Sequence, residues 1–385
     1  MGYIETAILL FIGAFLLTYF TIPKIIRVVE YKRLMDNPNN RSSHGSPTPT
    51  LGGVSFFYCL VFALFFIKGV AFFDEAIYII PGLTILFITG LKDDLVFLSP
   101  MTKLIAQIIS ISFILFNDSF IIYSLNGFLN IYEIPFFLYF IIAGFIMITI
   151  INAYNLIDGI DGLAAVVGII ILVLYTTIFY ITKEYFYSFV SVTLNGCLIS
   201  FLGFNLSTTK KIFMGDTGSL IVGYIIAILT LKFLALKPES YEEMPFLLEN
   251  APIIAIAILI VPLFDTARVF TIRIANKRGP FSPDRNHTHH VLIDYWGLSH
   301  KQASFIIGCF NLIFVILFVI LGSKAKNSGM VIMLVGVVIL LGYIFFKYNY
   351  NFTTLKQKIM LKRKLESLKG NPEKSLEKEK SKKKN

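Results

Sequence analysis

Asp93 and Asp94 in GLKDDLVFLSP, Asp158 and Asp161 in NAYNLIDGIDGLA, Asp216 in FMGDTGS, and Asp284 with His287, His289 and His290 in SPDRNHTHH all stand where apolar segments end. Ionisable groups at the edge of a hydrocarbon layer are costly and are retained for function. Together they imply an acidic, metal-ready site on one membrane face.

Each motif carries its own chemistry. Asp93 and Asp94 are adjacent, so their side chains point differently on any regular element. One can take a metal while the other faces a substrate or a lysine. Ser99 and Pro100 then read as the N-cap and first residue of a helix, with Lys103 and Gln107 four apart on one face. An isolated DD pair would be a solvated turn; with a lysine in line behind it, it reads as a phosphate site.

In NAYNLIDGIDGLA the polar residues are Asn152, Asn155, Asp158 and Asp161. Each three-residue step drifts backwards by roughly 60° on a helix of 3.6 residues per turn. A straight helix would therefore turn Asn152 and Asp161 to opposite sides. The pattern requires a break at Gly159 and Gly162, with Asn152 and Asn155 ending one helix and Asp158 and Asp161 starting the next. Converging helix ends are where membrane proteins hold substrates and ions; a capped glycine turn would account for only one Asn and one Asp.

Asp216, after Lys210 and Lys211, reads as a helix start able to reach a cation, with the backbone N–H groups of residues 215–219 suited to phosphate oxygens. Alone it would be a routine N-cap. Several carboxylates, no cysteine ligand and a phosphate substrate point to Mg²⁺ or Mn²⁺ rather than zinc. HTHH could hold zinc, but it lacks a fourth ligand and Arg285 beside it would repel a dication, so anion contact is favoured. His44 and Arg41 lie in DNPNNRSSHGSPTPTLGG, a loop stiffened by prolines. His300 reads as a solvated helix start, and Cys59, Cys197 and Cys309 as small core residues without metal or redox spacing.

The elements that must position these groups follow from composition. The 385 residues are 56% hydrophobic and 15% charged, against roughly 45–50% and about 25% for soluble domains. The chain reads as an all-α polytopic membrane protein. Eleven stretches suit transmembrane helices: residues 5–23, 51–68, 76–91, 101–117, 135–151, 162–181, 186–205, 217–235, 251–272, 302–322 and 330–347. The first has Glu5 and no Lys or Arg before its apolar run, so it reads as a span rather than a cleaved signal. Lys24, Arg27, Lys32 and Arg33 follow it, which puts the N-terminus outside and, after eleven spans, the C-terminus in the cytoplasm. Every acidic motif then falls inside, and only Lys68, Lys183, Lys237, Lys324 and Lys326 fall outside.

Residues 1–350 read as a single transmembrane catalytic domain and 351–385 as a basic tail, part interfacial helix and part disordered. Most of the net charge of +10 belongs to that tail. No basic patch marks the body, which argues against nucleic-acid binding. Residues 118–134, with Asn126-Gly127 between β-prone runs, read as an outer hairpin.

Taken in order, DNPNNRSSHGSPTPTLGG, KDD, NAYNLIDGIDGLA, MGDTGS, PLFDTARVF and DRNHTHH closely resemble the polyprenyl-phosphate N-acetylhexosamine-1-phosphate transferase family over residues 36–292. The resemblance implies a ten- or eleven-helix enzyme with a cytoplasmic Mg²⁺ site, transferring a sugar 1-phosphate from a UDP-sugar to undecaprenyl phosphate with release of UMP. The spaced His287-Thr288-His289-His290 resembles the GlcNAc-1-phosphate branch, the WecA and TagO type. The peptidoglycan branch, which transfers phospho-MurNAc-pentapeptide, shows three consecutive histidines and is the alternative. Thr50 departs from the basic residue that many relatives carry there.

By resemblance, Asp216 and Asp94 are metal ligands, Asp158 and Asp161 join the metal and diphosphate shell, Asp93 positions or deprotonates the lipid phosphate, and Lys103 neutralises phosphate charge. His44, Asn152, Asn155, Arg285, His287, His289 and His290 hold the nucleotide sugar. The implied setting is the inner membrane of a bacterium, and a homodimer is compatible with it. A secondary transporter, which also places Asp and Asn at helix breaks, needs access from both faces and fits one-sided acidic motifs poorly.

Overall fold

A helix without a polar stripe has to be surrounded, and α8 (Gly215–Leu234) is the axis of the bundle, with 94% of its apolar window buried. The computed structural model describes residues 2–36, 47–71, 75–277, 279 and 287–345. Around α8 pack α2 (Gly53–Ala71), α3 (Ala76–Leu95), α5 (Phe136–Ile157), α6 (Leu163–Ile181), α7 (Tyr185–Asn205) and α9 (Ala251–Ile258). Further out lie α1 (Tyr3–Lys32) against α7, α4 (Pro100–Leu115) against α3 and α5, α10 (Ile260–Ala275) against α5, and α12 (His300–Gly322) against α6 and α9. The short α11 (Thr288–Trp296) touches α12. α13 (Asn327–Phe345) has only 6% of its apolar window buried and presents the rest outward, as a lipid-facing helix does.

The chain is an all-α polytopic membrane protein. Among the described residues eight helices are long and apolar enough to cross a bilayer: α1, α3, α5, α6, α7, α8, α12 and α13. Each of the eleven apolar stretches is helical, but α4 and the apolar part of α2 are shorter than that length, and the ninth stretch is not one straight helix. It bends by 67° between α9 and α10. Pro262 explains the bend, since it has no N–H for the Ile258 carbonyl and its ring crowds that oxygen. Asn311 Nδ2 from α12 donates to the Ile258 carbonyl at 3.4 Å, as a freed backbone group at membrane depth requires.

Two connections tie the site together. The strands β1 (Met35–Asp36) and β2 (Thr48–Pro49) form a two-residue antiparallel ladder. The chain after β2 is laced to the approach to α8: Phe213 N–H donates to the Pro49 carbonyl at 2.8 Å, and Gly52 and Gly53 N–H donate to the carbonyls of Phe213 and Met214, each at 3.0 Å. This is what the PTPTLGG stretch does in the fold. A Cβ on Gly53 would lie 2.1 Å from the Gly218 backbone nitrogen, so α2 and α8 cross there backbone to backbone.

The loop over residues 118–134 corrects the hairpin expectation. Asn126 (φ 52°) and Gly127 (φ 87°) do form a two-residue turn, closed by Phe128 N–H to the Leu125 carbonyl at 2.9 Å. Leu129 and Asn130 are also left-handed, at φ 51° and 62°, within a 3-10 turn, and the arms meet through Ile134 N–H to the Tyr123 carbonyl at 2.9 Å without forming a strand ladder. The basic tail lies outside the described residues.

Candidate active site

The end of α3 delivers two adjacent carboxylates in different directions. Asp94 turns to the start of α8: its Oδ1 accepts Asp216 N–H at 2.8 Å, and its Oδ2 accepts Thr217 N–H at 3.0 Å and the Thr217 hydroxyl at 2.5 Å. Two of the donors at the start of α8, expected to meet phosphate, are therefore satisfied by Asp94. Asp93 turns the other way, accepting Leu98 N–H at 2.7 Å and the Lys103 ammonium at 2.7 Å.

Ser99 caps α4 through Thr102 N–H with Pro100 at the first position, and this sets Lys103 and Gln107 on the inner face. Lys103 bridges Asp93 and Asp216. Gln107 pairs with Asn152 through both amides, at 2.8 and 3.3 Å. Asn152 thus clamps α5 to α4 and does not line the cavity. Asn155, one turn on, donates to Asp216 Oδ1 at 3.0 Å and Ser219 Oγ at 2.8 Å.

The break in NAYNLIDGIDGLA is present, with one adjustment. α5 runs to Ile157 and α6 starts at Leu163, so Asp158 and Asp161 lie in the connecting loop rather than on the second helix. Gly162 takes φ 83° at the N-cap of α6, where its N–H meets Asn205 Oδ1 at 2.6 Å. Burial pushes the Asp158 carboxyl up to about 7, helped by the charges of Asp216, Asp94 and Asp161. Burial acts the same way on Asp161, but two partners outweigh it and hold that carboxyl below its usual range: His300 Nδ1 at 3.1 Å and Lys211 Nζ at 2.6 Å. His300 is therefore no solvated helix start; it joins Asp161, and Ser304 Oγ donates to the Asp161 carbonyl at 2.8 Å.

The three histidines join the same lining. His287 precedes α11 and His289 and His290 lie on its first turn, all buried. Burial and the neighbouring His290 hold the His289 imidazole well below its ordinary value, so it is neutral. Its Nε2 has no hydrogen-bond partner among the described residues, and its ring lies so close to the 158–162 loop that a Cβ on residue 159 would be 2.6 Å from Cε1 and Nε2. Gly159 serves that approach. Asp265 of α10 holds the motif from behind, at 2.6 Å from both His287 Nδ1 and Thr288 N.

These groups surround one cavity of about 740 Å³, lined by Asp93, Asp94, Asn155, Asp158, Asp161 and Asp216 together with His287, His289, His290 and His300. An apolar groove of about 250 Å³ adjoins it, between α10, α11, α12 and α13, with His289 in both linings. His44, Arg41, Asp284 and Arg285 lie outside the described residues. Asp265, Lys211, His300 and Asn205 are the site residues that sequence reasoning did not assign. Asp265 carried a signal, a lone carboxylate inside PLFDTARVF; the other three show their roles only through partners distant in sequence.

The donor set fits a hard divalent cation, being carboxylates without thiolate. No three His, Cys, Asp or Glu side chains among the described residues stand in metal-holding geometry. The Lys103 ammonium between Asp93 and Asp216 marks where positive charge is already required.

A family model described as "Glycosyl transferase family 4" matches residues 76–234, which include both aspartate pairs and Asp216. The chain is 32% identical over 310 residues, 80% of its own length and 83% of the relative's, to the "Probable undecaprenyl-phosphate N-acetylglucosaminyl 1-phosphate transferase" of Bacillus subtilis. Proteins described as "Undecaprenyl-phosphate alpha-N-acetylglucosaminyl 1-phosphate transferase" are similar too: that of Thermotoga maritima at 29% identity, covering 71% of this chain and 77% of the relative, and that of Escherichia coli K12 at 26%, covering 76% and 77%. With four-fifths of its length aligned at this identity, and with the carboxylates and histidines of its motifs brought to one cavity, the chain belongs to the polyprenyl-phosphate N-acetylhexosamine-1-phosphate transferases of glycosyl transferase family 4.

Proposed function

We propose that the protein transfers N-acetylglucosamine 1-phosphate from UDP-GlcNAc to undecaprenyl phosphate and releases UMP, as the first membrane step of a cell-surface polysaccharide. The observation that carries this reading is the pairing of one polar cavity, lined by both carboxylates and histidines, with an apolar groove that shares His289. A phosphate on a long hydrocarbon chain needs both surfaces side by side. The names of the relatives support the polyprenyl-phosphate acceptor and favour the GlcNAc donor over the MurNAc-pentapeptide one.

A phosphate monoester has its second pKa near 6, so the acceptor is already mostly dianionic and needs little activation. One of its oxygens attacks the sugar-bearing phosphorus of the donor; the bond from that phosphorus to the bridging oxygen breaks, and the oxygen leaves on UMP. The obstacle is bringing two anions together in an acidic cavity. Lys103 offsets part of that repulsion from between Asp93 and Asp216. Asp93 orients the acceptor phosphate, and Asn155 with His287, His289 and His290 holds the donor. Mg²⁺ or Mn²⁺, held by Asp216 with Asp93 or Asp94, would neutralise the diphosphate and the departing UMP. The site faces the cytoplasm, where UDP-sugars are made, and the membrane is the inner one.

Purified protein given undecaprenyl phosphate should release UMP with UDP-GlcNAc and not with UDP-MurNAc-pentapeptide. The opposite preference would move the chain to the peptidoglycan branch, and no UMP from either would remove the reading.

A further inference from the structure

One carboxylate of the site faces away from the cavity. Asp265 sits on α10, three residues beyond Pro262, and lines the apolar groove rather than the polar cavity. It is 4% exposed, and both of its oxygens are used: Oδ2 meets His287 Nδ1 at 2.6 Å and Oδ1 accepts Thr288 N–H at 2.6 Å. Thr288 is the first residue of α11 and His287 its N-cap, which makes no capping bond of its own. Asp265 therefore caps α11 from another helix, placing a negative charge where the helix dipole favours it.

The contact also decides what His287 can offer. A carboxylate on Nδ1 keeps the proton on that nitrogen whatever the charge of the ring, so any ligand meets Nε2. His287 lines the cavity, and its ring stacks on His289 at 5.4 Å between centroids. The carboxylate thus orders the whole histidine wall through one residue.

We propose that Asp265 is a positioning residue for the nucleotide-sugar donor, fixing the tautomer of His287 and seating α11 so that the histidines face the cavity. The inference rests on the transferase reading. Asp265→Asn separates its two duties. The Asn oxygen still accepts Thr288 N–H, but its amide N–H faces Nδ1, which must then offer a lone pair and carry the proton on Nε2.

The test compares wild type, Asp265→Asn, His287→Ala and the double variant as full-length protein in detergent. UDP-GlcNAc affinity is measured by calorimetry, KM for each substrate from UMP release, and the His287 ring from ¹⁵N NMR. The carboxylate partner of a metal-bound histidine is worth about 10–100-fold, and on that scale Asp265→Asn should weaken donor affinity and leave the acceptor KM unchanged. On the His287→Ala background it should cost nothing more. A merely structural carboxylate would depress both substrates and the melting temperature alike, on either background. Equal donor affinity in wild type and Asp265→Asn, or the same His287 tautomer in both, overturns the proposal. Wild-type protein that binds no UDP-sugar sinks the transferase reading and the donor assignment with it, while the NMR comparison still decides the tautomer.

Discussion

Replacing Lys103 by Met keeps the length of the side chain and removes the charge that bridges Asp93 and Asp216. The two carboxylates would then face each other unpaired, in the company of Asp94 and Asp158. A pair of unit charges 4 Å apart is worth about 4 kcal/mol at an effective dielectric constant near 20, and breaking a buried pair costs about 3–5 kcal/mol. The side chains of Lys103 and Asp216 are 22% and 26% exposed, so water screens the loss to about 2–3 kcal/mol. At roughly 2 °C per kcal/mol for a large chain, melting in EDTA should fall by a few degrees. Cys59 and Cys197 are buried free thiols, so a thiol-reactive dye reads the transition directly. Millimolar Mg²⁺ should then recover much of the loss, because a cation held by the same carboxylates replaces the missing ammonium. Turnover should stay low, by about 10²–10³-fold, the scale of removing one charge-stabilising group from an active site. Unchanged melting in EDTA would refute the claim that Lys103 balances this charge. A loss that Mg²⁺ does not narrow would refute the proposal that these carboxylates hold the metal.

The remaining expectations are shorter. Gly159→Ala puts a methyl 2.6 Å from the His289 ring; melting should change little because Gly159 itself is exposed, while UMP release should fall at least about tenfold, the scale of a small misplacement at a reacting centre, and normal turnover would remove His289 from the site. The Asp158 carboxyl, raised to about 7 by burial and three carboxylate neighbours, is protonated below that pH and charged above it; kcat/KM should therefore rise between about pH 6 and 8, and a flat profile down to pH 5 would show that its charge is not needed. Single cysteines on a background lacking Cys59, Cys197 and Cys309 should react with impermeant reagent in intact cells when placed at Ser240 and not at Ser207, and the reverse labelling would invert the membrane orientation.

What could be read from the sequence depended on how local the cause was. The helices were legible because apolar runs of the right length leave little choice in lipid, and the break after Asn155 was legible because three-residue polar spacing cannot stay on one helical face. The bend at Leu259 was marked by Pro262, which stands midway along the 251–272 stretch, where a proline ends or kinks a helix. Partners set by packing were not legible. Lys211 and His300 reach Asp161 from positions 50 and 139 residues away, and nothing near either residue marks the encounter. Asp94 shows the same limit in reverse. Its neighbourhood reads as a metal site, and nothing there announces that both of its oxygens also hold the first turn of α8. That turn carries Asp216, so a carboxylate spent on capping fixes the one beside it against Lys103 and Asn155. Asp94 and Asp265 thus both hold helix starts, and the groups those helices carry, Asp216 and the histidines, are fixed in the lining of the cavity.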